Sequence, residues 1–198
     1  SSDLRLYDLS PFDNIQQDVA GSYPFPLHSV SESQGLHQFG NGLALVTAGW
    51  LDQNPPTPGR EVELITVWIL TESLDLPPIP VVANPPPPGT YAGPRLAVFA
   101  HLLASDGEAE ERFNRERLPL AVDDGLWVDP LTLEPGDQFI QIHRFLIPNE
   151  PRVLSYDVAL GLYDPMTGDR WTVLDGEGRA GCDHVLIRGE DLAGAASE

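Results

Sequence analysis

Large apolar residues alternate with small or polar ones along several short stretches of this chain, and the alternation predicts β-strands. The clearest stretch is YDVALGLY (156–163), in which every second residue from Tyr156 to Leu162 is large and apolar. The turn sequence DPMTGD (164–169) follows, where proline fixes φ and glycine accepts a positive φ. We therefore predict a hairpin in which residues 170–174 form the returning strand.

The same alternation predicts five further strands, at residues 43–51, 61–70, 95–104, 138–148 and 184–188. The strand at 61–70 is apolar on both faces, which is typical of a central strand covered on both sides. Trp68 on this strand is the predicted buried tryptophan of the core. In the strand at 138–148 we predict a break of the alternation near Arg144.

Strands at this spacing, without long helices between them, predict an all-β, antiparallel, immunoglobulin-like β-sandwich. The 20 prolines and 18 glycines agree, because both residues interrupt helices. We expect long Pro-rich loops, above all at 71–94, and at most one or two short helices. Tyr156 begins its strand after a Pro-bounded corner, where a tyrosine corner is one interpretation and an ordinary core tyrosine the other.

Three regions are predicted along the chain. Residues 1–35 form a lead-in segment packed on the domain, with one short helix ending near Val19. Residues 36–190 form the sandwich, within which the charged run at 108–117 is a short helix or a solvated edge. Residues 191–198 are a disordered tail. Because the sequence opens on Ser-Ser without Met, we interpret it as part of a longer protein.

The charge of the chain restricts its partners. There are 30 acidic residues against 11 basic ones, all arginine, for a formal net charge of −19. Such a surface repels phosphate, so nucleic acid and anionic membrane surfaces are poor partners, and we expect no nucleic acid partner. No stretch approaches the ~20 apolar residues of a membrane helix, so we expect no direct membrane insertion by this chain. A single cysteine excludes an internal disulfide.

No motif in the sequence specifies a reaction, a cofactor or a metal, and we expect none of the three. The five histidines are scattered, and a metal site on His101 and His143 would need both on one face of neighbouring strands. Asp123, Asp124 and Asp129 surround Gly125 and could supply calcium ligands, but the spacing is not that of an EF-hand. A solvated acidic loop is the favoured interpretation.

Sugar binding is the chemistry that the sequence leaves open. Carbohydrate modules on this fold present aromatic rings beside Asp, Asn or Gln, because sugar C–H faces stack on rings while hydroxyls need acceptors. Trp127, with Asp124 and Asp129, fits this pattern best, and Tyr91 in the Pro-rich loop is second. Packing of Trp127 on the sandwich as a loop anchor is the favoured alternative, since large aromatics usually become buried.

An ordered set of motifs resembles one known family. The set is FGNGLALVTAGWL, PGREVELITVWIL, LAVFAHLLASDG, DDGLWVDPLTLEPGDQFIQIHRFLIP and YDVALGLYDPMTGDRW. It is similar to the C-terminal extracytoplasmic β-sandwich domain of Chloroflexi-type polytopic membrane glycosyltransferases, which belong with the dolichyl-phosphate-mannose and arabinosyl transferases. The match covers about residues 38–188, and residues 72–94 depart from the pattern. The catalytic aspartates of the family lie in its membrane portion, so none is carried over to this chain.

The resemblance implies a non-catalytic, extracytoplasmic bacterial domain that shields or orients the external face of its parent membrane protein, or contacts a glycan. Its expected partners are the parent membrane domain and possibly a glycan. A free carbohydrate-binding module is the alternative. A glycoside hydrolase-like enzyme is a remote one, because among so many acidic residues nothing selects a catalytic pair.

Overall fold

The computed structural model describes residues 36–51, 56–79, 88, 91, 93–105, 118–149 and 155–193. The lead-in segment at 1–35, the charged run at 108–117 and much of the Pro-rich loop lie outside these ranges, and the predictions for them stay predictions.

The described residues form eight strands: β1 (His37–Gln38), β2 (Leu43–Trp50), β3 (Glu61–Leu70), β4 (Ala97–Ala104), β5 (Ala121–Val122), β6 (Gln138–Leu146), β7 (Tyr156–Tyr163) and β8 (Val185–Ile187). A 3-10 helix covers Pro130–Thr132, and a short α-helix, α1, covers Gly189–Ala193. Helix α1 includes the first three residues of the tail that was predicted to be disordered.

The strands form two antiparallel sheets of four strands each. The first sheet has the order β1-β2-β3-β6 and the second the order β5-β4-β7-β8. If β2 to β8 are lettered as A, B, C, C′, E, F and G, these orders contain the A-B-E and C′-C-F-G arrangements of immunoglobulin-type sandwiches. The predicted all-β, antiparallel, immunoglobulin-like sandwich is therefore confirmed.

Trp68 lies at the centre of the core between the two sheets. Its side chain is fully buried, 5.8 Å from Phe39 and 6.5 Å from Phe139 between ring centres, and its indole N–H donates to the Thr66 hydroxyl at 2.9 Å. Strand β3, which carries Trp68, is central in its sheet, as predicted. Its outer face is covered only in part, since Ile65 remains half-buried.

Strand β6 corrects one prediction. It pairs with β3 without interruption from Leu146 to Gln138, and buried residues alternate with more exposed ones along its whole length. The predicted break near Arg144 is therefore wrong. Two of the inward positions, Gln141 and His143, are polar but buried. Polar residues at inward positions interrupt the apolar alternation in the sequence without interrupting the strand.

The prediction of a hairpin after β7 is confirmed for the turn but wrong for the returning strand. Asp164 accepts the N–H of Gly168 at 2.8 Å and donates its own N–H to Asp169 at 2.8 Å, which closes the turn. Residues 170–174 then make only isolated bridges, one of them between Val173 and Phe39 of the first sheet. They form no strand because β8 already occupies the edge of β7 along residues 158–160.

Tyr156 is buried at the first position of β7, where a tyrosine corner would place it. Residues 150–154, which precede it, lie outside the described part of the chain. The corner hydrogen bond therefore stays a prediction.

Candidate functional site

Residues 123–129, here called the acidic loop, connect the two sheets at one side of the sandwich. On the side of the second sheet, Asp123 donates its backbone N–H to Ala100 of β4 at 3.0 Å. Gly125 exchanges two backbone hydrogen bonds with Val98 of the same strand, at 2.8 and 3.0 Å. Gly125 has a φ of 147°, a left-handed-side conformation that favours glycine. The loop is thus an extension of the second sheet.

Two buried polar residues of β6 hold the acidic loop against the first sheet. The Gln141 side-chain amide donates to the carbonyl oxygen of Gly125 at 3.0 Å. The Nδ1 atom of His143 lies 3.1 Å from the carbonyl oxygen of Asp123. Since a carbonyl oxygen only accepts, this contact assigns the proton to Nδ1 in the neutral ring. Sequence reasoning missed both residues as anchors, because their partners lie far from them in the chain.

The side chain of Asp123 holds the next residue of β6. Its Oδ2 atom accepts the backbone N–H of Arg144 at 2.8 Å and lies 3.8 Å from Nδ1 of His143. This hydrogen bond satisfies the backbone N–H of Arg144 on β6, the edge strand of the first sheet. Unpaired backbone groups on an edge strand can pair with the strands of other chains, and the contact removes one of them.

Trp127 points into solvent. Its side chain is 58% exposed, whereas the neighbouring Leu126 and Val128 pack against the core. The guanidinium carbon of Arg144 lies 5.7 Å from the centre of the Trp127 ring, within the range of a cation–π contact. The interpretation of Trp127 as a packed loop anchor is therefore wrong, and an exposed ring on an anchored loop is what the structure contains.

The two aspartates predicted beside Trp127 have different environments. Asp129 caps the 3-10 helix, since its Oδ1 atom accepts the N–H of Leu131 at 3.0 Å. Asp124 is also exposed, and its Oδ1 atom lies 3.5 Å from Nε2 of His101 on β4. Of the two, Asp124 is the one whose oxygens are not committed to a helix cap.

Tyr91 lies toward the second sheet. The residue is 38% exposed, and its hydroxyl donates to the carbonyl oxygen of Pro94 at 2.5 Å. Burial, followed by the nearby charges of Asp124 and Tyr91, raises the pKa of Tyr163 on β7. Tyr91 and Asp124 thus lie near Tyr163 of the second sheet, whereas Trp127 contacts Arg144 of the first.

The two metal sites considered from the sequence do not form. His101 and His143 belong to different sheets, and His143 is directed into the core while His101 pairs with Asp124. Over the described ranges, no three His, Cys, Asp or Glu side chains come together as a group able to hold a metal ion.

Comparison with protein-family models and with curated proteins gives no match to this chain. Within the part of the chain that the structure describes, no helix has the length and apolar character needed to cross a membrane.

Proposed function

We propose that this chain is a non-catalytic, extracytoplasmic domain of a larger membrane glycosyltransferase-like protein, and that its acidic loop contacts a glycan. The ordered strand motifs support the first part of the proposal. The immunoglobulin-like strand order is compatible with it, because such sandwiches commonly serve as modules on larger proteins.

The observation that carries glycan contact is the exposure of Trp127 on a loop that is hydrogen-bonded to both sheets. A rigidly placed, exposed ring provides a flat apolar surface for the C–H face of a sugar at little cost in conformational entropy. Asp124 is not part of this surface, because its carboxylate lies beside His101 of the second sheet. An exposed aromatic ring of this kind favours the binding of a neutral, polyhydroxylated ligand. It provides no group that would catalyse a reaction of that ligand.

Glycan contact is tested by isothermal titration with mannose and arabinose oligosaccharides, the sugars implied by the resemblance. Trp127→Ala is expected to weaken binding by about two- to tenfold without lowering the melting temperature, because one aromatic contact contributes about 0.5–1.5 kcal/mol. Met166→Ala is the matched control, since Met166 is 51% exposed on a turn elsewhere. Equal affinities for both variants and the parent protein would reject the proposed contact.

Membership of a larger membrane protein is tested by an immunoblot of membrane and soluble fractions with an antibody against this domain. We expect a band much heavier than 21.6 kDa in the membrane fraction. A band close to that mass in the soluble or secreted fraction would instead favour the second candidate function, a free carbohydrate-binding module. The exposed Trp127 is compatible with both.

A further inference from the structure

Strand β6 lies at one edge of the first sheet, and its backbone groups alternate in direction. Ile147, directly after β6, donates its N–H to the carbonyl oxygen of Arg60 at 2.9 Å, so the odd-numbered residues form the ladder with β3. Arg144 agrees with this, because its N–H points away from β3 to the Asp123 carboxylate. The N–H and C=O groups of the even-numbered residues of β6 therefore point to the outer edge of the sheet.

Asp123 satisfies one end of this edge. Among the described residues, none forms a hydrogen bond with the outward backbone groups of Gln138, Ile140 and Ile142, and β3 is the only strand paired with β6. Since buried backbone groups are almost always paired, groups without a partner indicate contact with water. Within the described structure, residues 138–142 thus form an unpaired strand edge.

Apolar side chains line the same strand on the outer face of the sheet. Ile140 is 44% exposed and Leu146 is 66% exposed, and Ile142 between them is half-buried. Ile142 lies opposite Ile65 of β3, which is also half-buried. An edge strand with exposed apolar side chains is a template for strand addition, in which backbone hydrogen bonds provide affinity and alternate side chains provide specificity.

The charges around this edge select the kind of strand that fits it. Strands β3 and β6 and the acidic loop carry five carboxylates and one arginine, Arg144, whose guanidinium group already pairs with Glu63 at 2.7 Å. The carboxylate of Asp123 lies at the edge itself. A second copy of this chain, with its net charge of −19, would be repelled, whereas basic side chains would be attracted.

We propose that the edge of β6 from Gln138 to Ile142 binds an extended segment of a partner protein, in which apolar residues alternate with lysine or arginine, as a fifth strand of the first sheet. Its apolar residues lie beside Ile140 and Ile142 on the outer face, and its basic residues face the acidic loop, because successive side chains of a strand point to opposite faces. Asp123 ends the pairing, since it already binds the N–H of Arg144. The inference does not rest on the proposed glycan contact.

Strand addition is tested by amide hydrogen exchange, followed by NMR on the ¹⁵N-labelled protein, with a capped peptide of about eight residues that alternates valine and lysine. In the protein alone, the amides of Ile140 and Ile142 should exchange fast, whereas those of Gln141 and His143 are protected by the ladder with β3. Peptide at about ten times its Kd should slow exchange at Ile140 and Ile142 about tenfold. A peptide that alternates valine and glutamate is the control and should have no effect.

Ile140→Pro is the matching variant of the protein. Proline removes the N–H of residue 140, which faces the edge and not β3, so the variant should fold and lose the protection of Ile142 by the peptide. Ile140→Ala, which keeps this N–H, should retain the protection. Should Ile140→Pro fail to fold, the parent protein still decides with two N-methylated peptides, one methylated at its valines and one at its lysines. Only one set of amides faces β6, so one peptide should bind and the other should not.

Several results would overturn the proposal. They are slow exchange of Ile140 and Ile142 in the protein alone, no slowing by the valine–lysine peptide at millimolar concentration, equal slowing by the valine–glutamate peptide, and protection that survives Ile140→Pro. Protection that grows with protein concentration without peptide would also overturn it, because it would assign the edge to a second copy of this chain. Failure of sugar binding would leave all of these results unaffected.

Discussion

Arg144 contacts the acidic loop twice, through its backbone N–H to the Asp123 carboxylate at 2.8 Å and through its guanidinium group over the ring of Trp127 at 5.7 Å. The first contact fixes the loop backbone, and the second orients an exposed side chain. Because they use different parts of one residue, a side-chain substitution separates them.

We therefore predict that Arg144→Ala loosens the Trp127 ring but leaves the loop backbone in place. NMR relaxation should show faster indole motion, while the backbone amides of residues 123–129 keep their order. Arg179→Ala is the control, because its exposed pairs with Asp175 and Glu177 lie outside the acidic loop. Unchanged Trp127 relaxation in Arg144→Ala would show that the cation–π contact does not orient the ring.

The turn after β7 depends on a buried ion pair between Arg95 and Asp164. Burial alone would raise the pKa of Asp164, but hydrogen bonds from Arg95 and from the N–H of Met166 hold it below its usual value. Removing the charge leaves Arg95 without its partner, so Asp164→Asn should lower the free energy of unfolding by about 3 kcal/mol. Urea denaturation measures this.

The control for Asp164 is Glu177→Gln, whose exposed pair with Arg179 should matter little. The lowered pKa also sets a pH dependence. The contribution of Asp164 is complete above its ordinary pKa of about 3.9 and is lost as the pH falls through the lowered value. Equal stability of both variants would contradict a structural role for the buried pair.

Burial lowers the pKa of two histidines, His37 and His143. Below pH 6.5 the unfolded chain then binds more protons than the folded protein, so stability falls as the pH drops from about 7. Above about pH 8 these two groups contribute no slope, because they are then neutral in both the folded and the unfolded state. Urea denaturation should show lower stability at pH 5.5 than at pH 7.5, with a smaller difference in His143→Gln. An equal difference in that variant would exclude His143 as a source.

Phe99 on the outer face of the second sheet lies against Gly161 of β7, and Arg170 covers its ring at 4.4 Å. A Cβ atom at residue 161 would overlap the Phe99 ring and approach the carbonyl oxygen of Asp183. We predict that Gly161→Ala lowers the free energy of unfolding by roughly 1–3 kcal/mol.

Gly49 of β2 provides the matched control, because nothing lies within 4 Å of the Cβ position there. Gly49→Ala should be neutral or stabilising by up to about 1 kcal/mol, since alanine loses less conformational entropy in a strand. Calorimetric melting of both variants distinguishes the two effects. A melting temperature of Gly161→Ala at or above that of the parent protein would contradict the packing described here.

The strands could be predicted where sequence alternation and burial coincide. Strand β3 begins and ends at the predicted residues 61 and 70, because its inward positions are almost all apolar. In β6, by contrast, Gln141 and His143 face inward, and the partners that satisfy them, Gly125, Asp123 and Thr66, are far away in sequence. A local pattern carries no information about such partners, so it suggested a break that does not exist.

Trp127 was predicted as a candidate site residue, but its surroundings were not predicted. Leu126 and Val128 alternate with Trp127, a period-2 signal that could have placed the ring outward. The position of Arg144 beside that ring depends on the pairing of β6 with β3, which the sequence alone does not reveal. Asp129 was predicted as a ligand-binding residue. In the structure its side chain caps the 3-10 helix, which gives it a structural role.

The most direct test of glycan contact is an NMR titration of the ¹⁵N-labelled protein with mannose and arabinose oligosaccharides, following the four indole N–H signals. The account predicts a saturable shift of the Trp127 signal, while that of the fully buried Trp68 stays constant as an internal control. No shift of Trp127 at millimolar sugar, or equal shifts of all four signals, would contradict a glycan-binding surface at the acidic loop.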